Sequence, residues 1–470
     1  MNKNYYIYKF KTPKSNYIYN YNTNMLVKVD KSDYELIDND KLNCGVFEGN
    51  EVIEKLRENG ILTSNNIEIV EHPESEFLET TFRRRLHTIT LQITQQCNLR
   101  CKYCVYSGSY KTRTHSNKSM SIDTAKEAID FLIKHAIDSE ELNIGFYGGE
   151  PLLRFNFIKE CIEYAEEKAE GKHVGFHITT NATLLKKEMI QFFEKHNVIL
   201  TISLDGNKES HDSNRVFAAD GCGTFDTVME NLERIKKLYP EYFDKILFNT
   251  VIDPKVDFSC TNSFFSNYDL IKDAHVSAGV INDNYSKNKI DLNEDFIVKW
   301  QYELFKLFLY KLNEISDKGV TKLQNVYFTS IKSRVFDRNI VSSKTIKAHP
   351  GGPCIPGIQR LFVSTDGTFY PCERVSESSE IMKIGNSKDG FDLDKIYNLL
   401  NIGKITQEKC KNCYAFHFCG LCAAFADDNN KLDKSVKLKH CNSIKKNMEN
   451  VLKDYCMLRE FGYDFEEENL

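Results

Sequence analysis

Residues 87–104 read HTITLQITQQCNLRCKYC, an apolar run of strand length that ends in three cysteines, Cys97, Cys101 and Cys104, spaced C-x3-C-x2-C. A ligand-rich loop just after a strand lies where α/β sheets carry their chemistry, at the carboxyl ends of the strands. Three thiols do not fill a four-coordinate zinc site. They can hold three irons of a [4Fe-4S] cluster and leave the fourth open, as catalytic zinc sites keep one position free of protein. They can also be part of a zinc site completed by a distant histidine or cysteine.

Working outward, strand-like and helix-like segments alternate from 86 to 285. The strands are HTITLQI, LNIGFYG, HVGFHITT, VILTISL, KILFNTVI and AHVSAGVI. Between them lie helices such as SIDTAKEAIDFLIKH, whose Ile122, Ala125, Ile129, Leu132 and Ile133 share one face. Six β/α units imply a parallel sheet and suit a partial (β/α)6 barrel, an incomplete relative of the eightfold β/α (TIM-type) barrel.

Residues 1–80 form a separate unit. Its short runs YYIYKFK, NYIYNYN and MLVKVDK read as strands; SDYELIDND, with Ser32 placed to cap, and GNEVIEKLRENG read as helices. That order suits a winged-helix-like domain, and the polar stretch NNIEIVEHPESEFLE reads as a linker. Residues 286–348 read as helical bridging sequence. From His349 the chain turns glycine-, proline- and cysteine-rich, the look of a metal-organised domain over 349–450, followed by a C-terminal tail, 451–470.

The chain has 470 residues, a net charge of -5 and a pI near 6.2. No general basic field favours nucleic acid, no apolar run approaches a membrane span, and the N-terminus does not read as a signal peptide. A cytoplasmic protein without membrane or nucleic-acid partners is the expectation. In a reducing compartment, fifteen cysteines in close-spaced groups point to metal or redox chemistry before disulfides.

The C-x3-C-x2-C loop, with Tyr103 before its last cysteine, resembles the signature of the radical S-adenosylmethionine (SAM) superfamily. GFYGGEPLL after the second strand resembles that family's glycine-glycine-glutamate motif, and ISLDG and HDSNR at 202–206 and 211–215 resemble its SAM-contacting segments. The resemblance implies a cluster on Cys97, Cys101 and Cys104 whose open iron is chelated by SAM, which is cleaved reductively to a 5'-deoxyadenosyl radical. It also implies SAM contacts from Tyr103, Gly148, Gly149, Glu150, Ser203 on the ribose side and Arg215 on the carboxylate. Asp205 is left unassigned.

The tail cysteines run C-x12-G-x4-C, then C-x2-C-x5-C-x2-C, then C, which resembles the SPASM domain of radical SAM maturases; C-x2-C pairs alone would also permit zinc. The resemblance implies three [4Fe-4S] clusters in all. Cys354, Cys372 and Cys422 would hold the first auxiliary cluster, its fourth position open, filled by a residue such as His349, or taken by a substrate thiolate. Cys410, Cys413, Cys419 and Cys441 would hold the second. Cys44, Cys161, Cys222, Cys260 and Cys456 match no motif.

The N-terminal unit resembles the peptide-recognition element of maturases acting on ribosomally made peptides, whose leader adds as a strand, here along 25–31 with Lys28 and Lys31 facing an acidic leader. A plain stabilising extension is the alternative. The nearest resemblance is to sactipeptide and ranthipeptide maturases. It implies thioether crosslinking of a cysteine-rich precursor peptide, with flavodoxin or ferredoxin as reductant. Alternatives are a sulfatase-maturing enzyme making formylglycine, with Glu373 as catalytic base, a SPASM enzyme forming carbon-carbon links, or an inactive relative that only presents a peptide.

Overall fold

The computed structural model describes residues 6–37, 51–63, 66–169, 171–282, 284–287, 290–342, 344–352 and 354–466. Cys44 and parts of the two expected N-terminal helices lie outside them.

Strands β1 (Ile7–Lys11), β2 (Asn16–Asn20) and β3 (Met25–Val29) form an antiparallel sheet with β2 central. Side chains alternate across a strand, so Ile7 and Ile18 pack on one face with Ile53, Leu56 and Leu62. On the other, Phe10, Tyr17 and Tyr19 pack with Met448, Val451 and Leu452. Two expectations fail here. Lys31 is the first residue of the helix Lys31–Leu36, not part of the strand, and Asp30 takes the cap position. Ser32 lies inside that helix, its hydroxyl beside Asp33.

The expected linker is built structure. It contains β4 (Ile69–Val70), a 3-10 turn (Pro73–Glu76) and the start of the helix Leu78–Arg84. Glu71 binds it down, pairing with Lys347 and Lys404 and accepting from the Tyr397 hydroxyl.

The central sheet carries β5 (Thr88–Thr94), β6 (Glu141–Gly148), β7 (His173–Thr180), β8 (Val198–Ser203), β9 (Leu247–Ile252) and β10 (His275–Val280), parallel and in chain order. Helices connect successive strands. Ile122–His135 starts at Ser121, whose hydroxyl accepts from Thr124 N, and buries Ala125, Ala128, Ile129, Phe131 and Leu132. Trimming Leu132 to alanine would cost about 2–5 kcal/mol.

β11 (Lys347–Ala348) pairs with β4 in a two-stranded sheet of its own. The later C-terminal strands extend the central sheet: β12 (Leu361–Val363) runs parallel to β5 and leads antiparallel into β13 (Thr368–Tyr370), β14 (Gly385–Asn386) and β15 (Gly390–Phe391). The strand that feeds the three-cysteine loop is therefore hydrogen-bonded to the cysteine-rich region. The helix Cys441–Glu460 runs through residue 450, so the expected tail is continuous with what precedes it and supplies the core under the N-terminal sheet. Among the described residues no helix is long and apolar enough to cross a membrane.

Candidate active site

The three-cysteine loop follows β5 and is fastened from two sides. Arg100 N donates to Val216 O at 2.8 Å, Lys102 N to Asn214 O at 3.1 Å, and Ala218 N to Asn98 O at 2.8 Å. Asn181, after β7, donates to Asn98 Oδ1 at 2.9 Å and lies 3.9 Å from Cys97 Sγ. Leu99 N donates to Cys97 Sγ at 3.3 Å and Tyr106 N to Cys104 Sγ at 3.5 Å. Such N–H donors favour a thiolate. Burial opposes it, pushing Cys97 up to about 12 and Cys101 up to about 11, so occupation by a metal centre would displace protons.

Gly148 and Gly149 do their work against the chain's own backbone. Gly148 has φ +142°, and a Cβ there would sit 2.0 Å from Thr94 O; at Gly149 it would sit 2.0 Å from Gln96 O. This close approach lets Gly149 N donate to Thr94 O at 2.9 Å and Glu150 N to Gln96 O at 2.8 Å, fixing the chain immediately before Cys97. The buried Glu150 carboxylate accepts from Leu152 N at 2.9 Å, Thr180 Oγ1 at 2.8 Å and Asn181 N at 2.9 Å. It thereby ties the end of β6 to the end of β7; burial raises its pKa.

Asp205 and Arg215 form a buried ion pair, Nε to Oδ2 at 2.8 Å. The Tyr103 hydroxyl donates to the same oxygen, and the Arg215 guanidinium lies over the Tyr103 ring at 5.5 Å. Asp205 Oδ1 accepts from Val251 N at 3.0 Å. Fully buried His211 completes the group. Asp205 N donates to its Nδ1 at 3.3 Å, so Nε2 carries the proton toward Thr224 Oγ1 at 2.9 Å, and the threonine donates to Arg215 O at 3.1 Å. Burial pushes His211 down to about 3. Ser203 ends β8 opposite Asn249. The sequence leaves Asp205 and His211 without a role, although both lie in the ISLDG and HDSNR segments, and gives no sign of Asn181.

The C-terminal thiols fall into two groups by mutual electrostatic influence. Cys372 feels Cys422 and Cys354, whereas Cys413, Cys419 and Cys441 each feel Cys410, and Cys413 also feels Cys441. Glu373 accepts from Arg360 at 2.8 Å through Oε1, and its Oε2 is buried without a partner. Buried Arg113 draws this segment toward the first loop, pairing with Glu377 at 2.5 Å and donating to Glu373 O at 2.7 Å. Gln92 of β5 bridges Glu377 at 2.6 Å and the Tyr106 hydroxyl at 2.7 Å. His349 is turned elsewhere, with Nε2 3.2 Å from Leu400 O and its ring 4.7 Å from His72.

Among the described residues no three His, Cys, Asp or Glu side chains are placed to hold a single metal ion. An iron-sulfur cube asks for something different, because each thiolate binds its own iron, and the first loop offers three buried or half-buried thiols with N–H donors to two sulfurs. This donor set fits a cluster. The sequence profile of the radical SAM superfamily matches residues 91–260, from β5 through the strand-end loops just described.

The chain carries a radical SAM domain.

A cysteine-type anaerobic sulfatase-maturating enzyme of Clostridium novyi (strain NT) is 26% identical over 340 residues, 69% of this chain and 83% of that one. The radical SAM cyclopropyl synthase TigE of Paramaledivibacter caminithermalis is 24% identical over 411 residues, 83% of this chain and 78% of that one. Among solved structures, native anSMEcpe with bound AdoMet and Cp18Cys peptide superposes with a TM-score of 0.58 at 19% identity, covering 79% of this chain and 99% of that one. The α/β radical SAM fold is common to both. The protein is thus a radical SAM enzyme, a family that uses a [4Fe-4S] cluster and SAM.

Proposed function

We propose that this radical SAM enzyme is a peptide maturase that abstracts hydrogen from a ribosomally made, cysteine-rich precursor and closes intramolecular thioether crosslinks. The observation that carries the reading is the arrangement of ten cysteines: three in the loop after β5, three more around Cys372, and four around Cys410. Three [4Fe-4S] clusters follow, with Cys97, Cys101 and Cys104 reserving one iron for SAM. When bound, that cluster supplies the electron that cleaves SAM to the 5'-deoxyadenosyl radical.

The chain's own residues hold and orient. Gly148, Gly149 and Glu150 set the loop against β6 and β7, Tyr103 and Arg215 with Ser203 line the SAM side, and Asp205 fixes the guanidinium from behind. Cys354, Cys372 and Cys422 hold the first auxiliary cluster with one position for a peptide thiolate; Cys410, Cys413, Cys419 and Cys441 hold the second. In this reading residues 86–285 are a partial (β/α)6 barrel and 349–450, extended by the last helix, a SPASM domain. Residues 1–80 are the winged-helix-like leader-binding unit, and β3, at the edge of its sheet, takes the leader as an added strand beside exposed Lys28. A flavodoxin or ferredoxin in the cytoplasm supplies electrons.

A second reading is favoured by Glu373. Its carboxylate adjoins Cys372 and keeps one buried oxygen unengaged, as a base that takes the proton during oxidation of a cysteine or serine to formylglycine would need. The relatives named as sulfatase-maturating enzymes support it equally.

Co-expression with short cysteine-rich reading frames beside the gene, followed by mass spectrometry, separates the two. Thioether formation removes two hydrogens per crosslink and blocks thiol alkylation, whereas formylglycine gives a hydrazine-reactive aldehyde. Peptides unchanged in mass would sink the thioether reading, and a co-expressed sulfatase left without the aldehyde would sink the other.

A further inference from the structure

Lys437 is 2% exposed. Its Nζ donates to Ile402 O at 2.9 Å, to Thr406 Oγ1 at 2.8 Å and to Cys410 Sγ at 3.9 Å, and Thr406 Oγ1 itself lies 3.1 Å from that sulfur. An ammonium has three donors and no acceptor, and here all three point at protein atoms. None of these acceptors is a carboxylate, and among the described residues no acidic side chain stands within ion-pair distance of Nζ. A buried cation left without a counter-charge is strongly disfavoured. The neighbouring lysines do not help: Lys409 and Lys445 also act on Cys441 as positive charges.

Four thiolates on an iron-sulfur cube make a net anion, more negative still when reduced. Resting on the reading that Cys410, Cys413, Cys419 and Cys441 hold such a cluster, we propose that Lys437 is its internal counter-ion and that, with Thr406, it raises the cluster's reduction potential through Cys410. Net charge and hydrogen bonds to the sulfurs are the levers by which a protein sets such potentials. A positive charge buried against one ligand favours the more negative, reduced state, and burial keeps water and salt from screening it.

The test is a potentiometric titration followed by electron paramagnetic resonance, on full-length, iron-loaded protein whose Cys97, Cys101 and Cys104 are alanine. The signal to follow is the one that disappears in Cys441→Ala. Lys437→Met is expected to lower its midpoint so that the reduced-to-oxidised ratio at the parent's midpoint falls about tenfold, equivalent to about 59 mV for one electron. Lys437→Arg should leave the midpoint near the parent value, and Thr406→Val should move it the same way as methionine but less. A loaded Lys437→Met protein with an unmoved midpoint overturns the proposal. Should that variant fail to load, Thr406→Val decides alone, an unmoved midpoint again overturning it. If Cys441→Ala removes neither iron nor signal, the cluster assignment itself is wrong, which is a different failure.

Discussion

Arg215 donates through Nε to Asp205 Oδ2 at 2.8 Å with both side chains buried, so the cation assigned to SAM's carboxylate is held by a fixed anion on the far side. Asp205→Asn keeps the shape and removes the charge. Leaving a buried cation unmatched typically costs about 3–5 kcal/mol, and urea unfolding should show a loss of that order. SAM affinity, measured by equilibrium dialysis on loaded protein, should fall as the guanidinium loses its anchor. Unchanged stability and affinity would show that the pair is dispensable.

Gly149→Ala asks whether the glycines serve the loop. The added methyl carbon would lie 2.0 Å from Gln96 O and 3.1 Å from Cys97 N, so backbone must move where the first cluster ligand begins. The protein is expected to fold, since the sheet core is remote, and to lose about one cluster's share of iron and sulfide. Full iron content in a soluble variant would contradict this placement.

His211 gives the site a pH signature. Its pKa is lowered by burial from 6.5 to about 3, so between those values the unfolded chain binds a proton that the folded chain does not. Stability from this group is complete above pH 6.5 and is lost as pH falls toward 3. The full loss is on the order of 5 kcal/mol, with a slope near 1.4 kcal/mol per pH unit. His211→Gln should be less stable at neutral pH and show a shallower fall between pH 6.5 and 5. Other buried histidines contribute to both proteins alike, so the difference in slope is the informative quantity.

Much of this was legible before any coordinates. The six strands stand out because continuous apolar runs such as VILTISL are what strands covered on both faces require, and the thiol groups are legible because ligand spacing is local. What was hidden is non-local. Nothing in NNIEIVEHPESEFLE announces that Glu71 will meet Lys347 and Lys404 from far along the chain. Nor does the glycine pair at 148 and 149 announce that its lack of side chains also admits the Thr94 and Gln96 backbone. Asp205 and His211, six residues apart, have meaning only once Arg215 and Thr224 are folded back onto them.

The most direct test of the account is anaerobic incubation of the iron-loaded protein with SAM and a strong reductant, with 5'-deoxyadenosine measured by chromatography. The native chain should form it, and the variant with Cys97, Cys101 and Cys104 changed to alanine should form none while retaining the iron of the other two cysteine sets. Absence of 5'-deoxyadenosine from the loaded native protein, or equal amounts from the variant, would contradict the assignment of this loop.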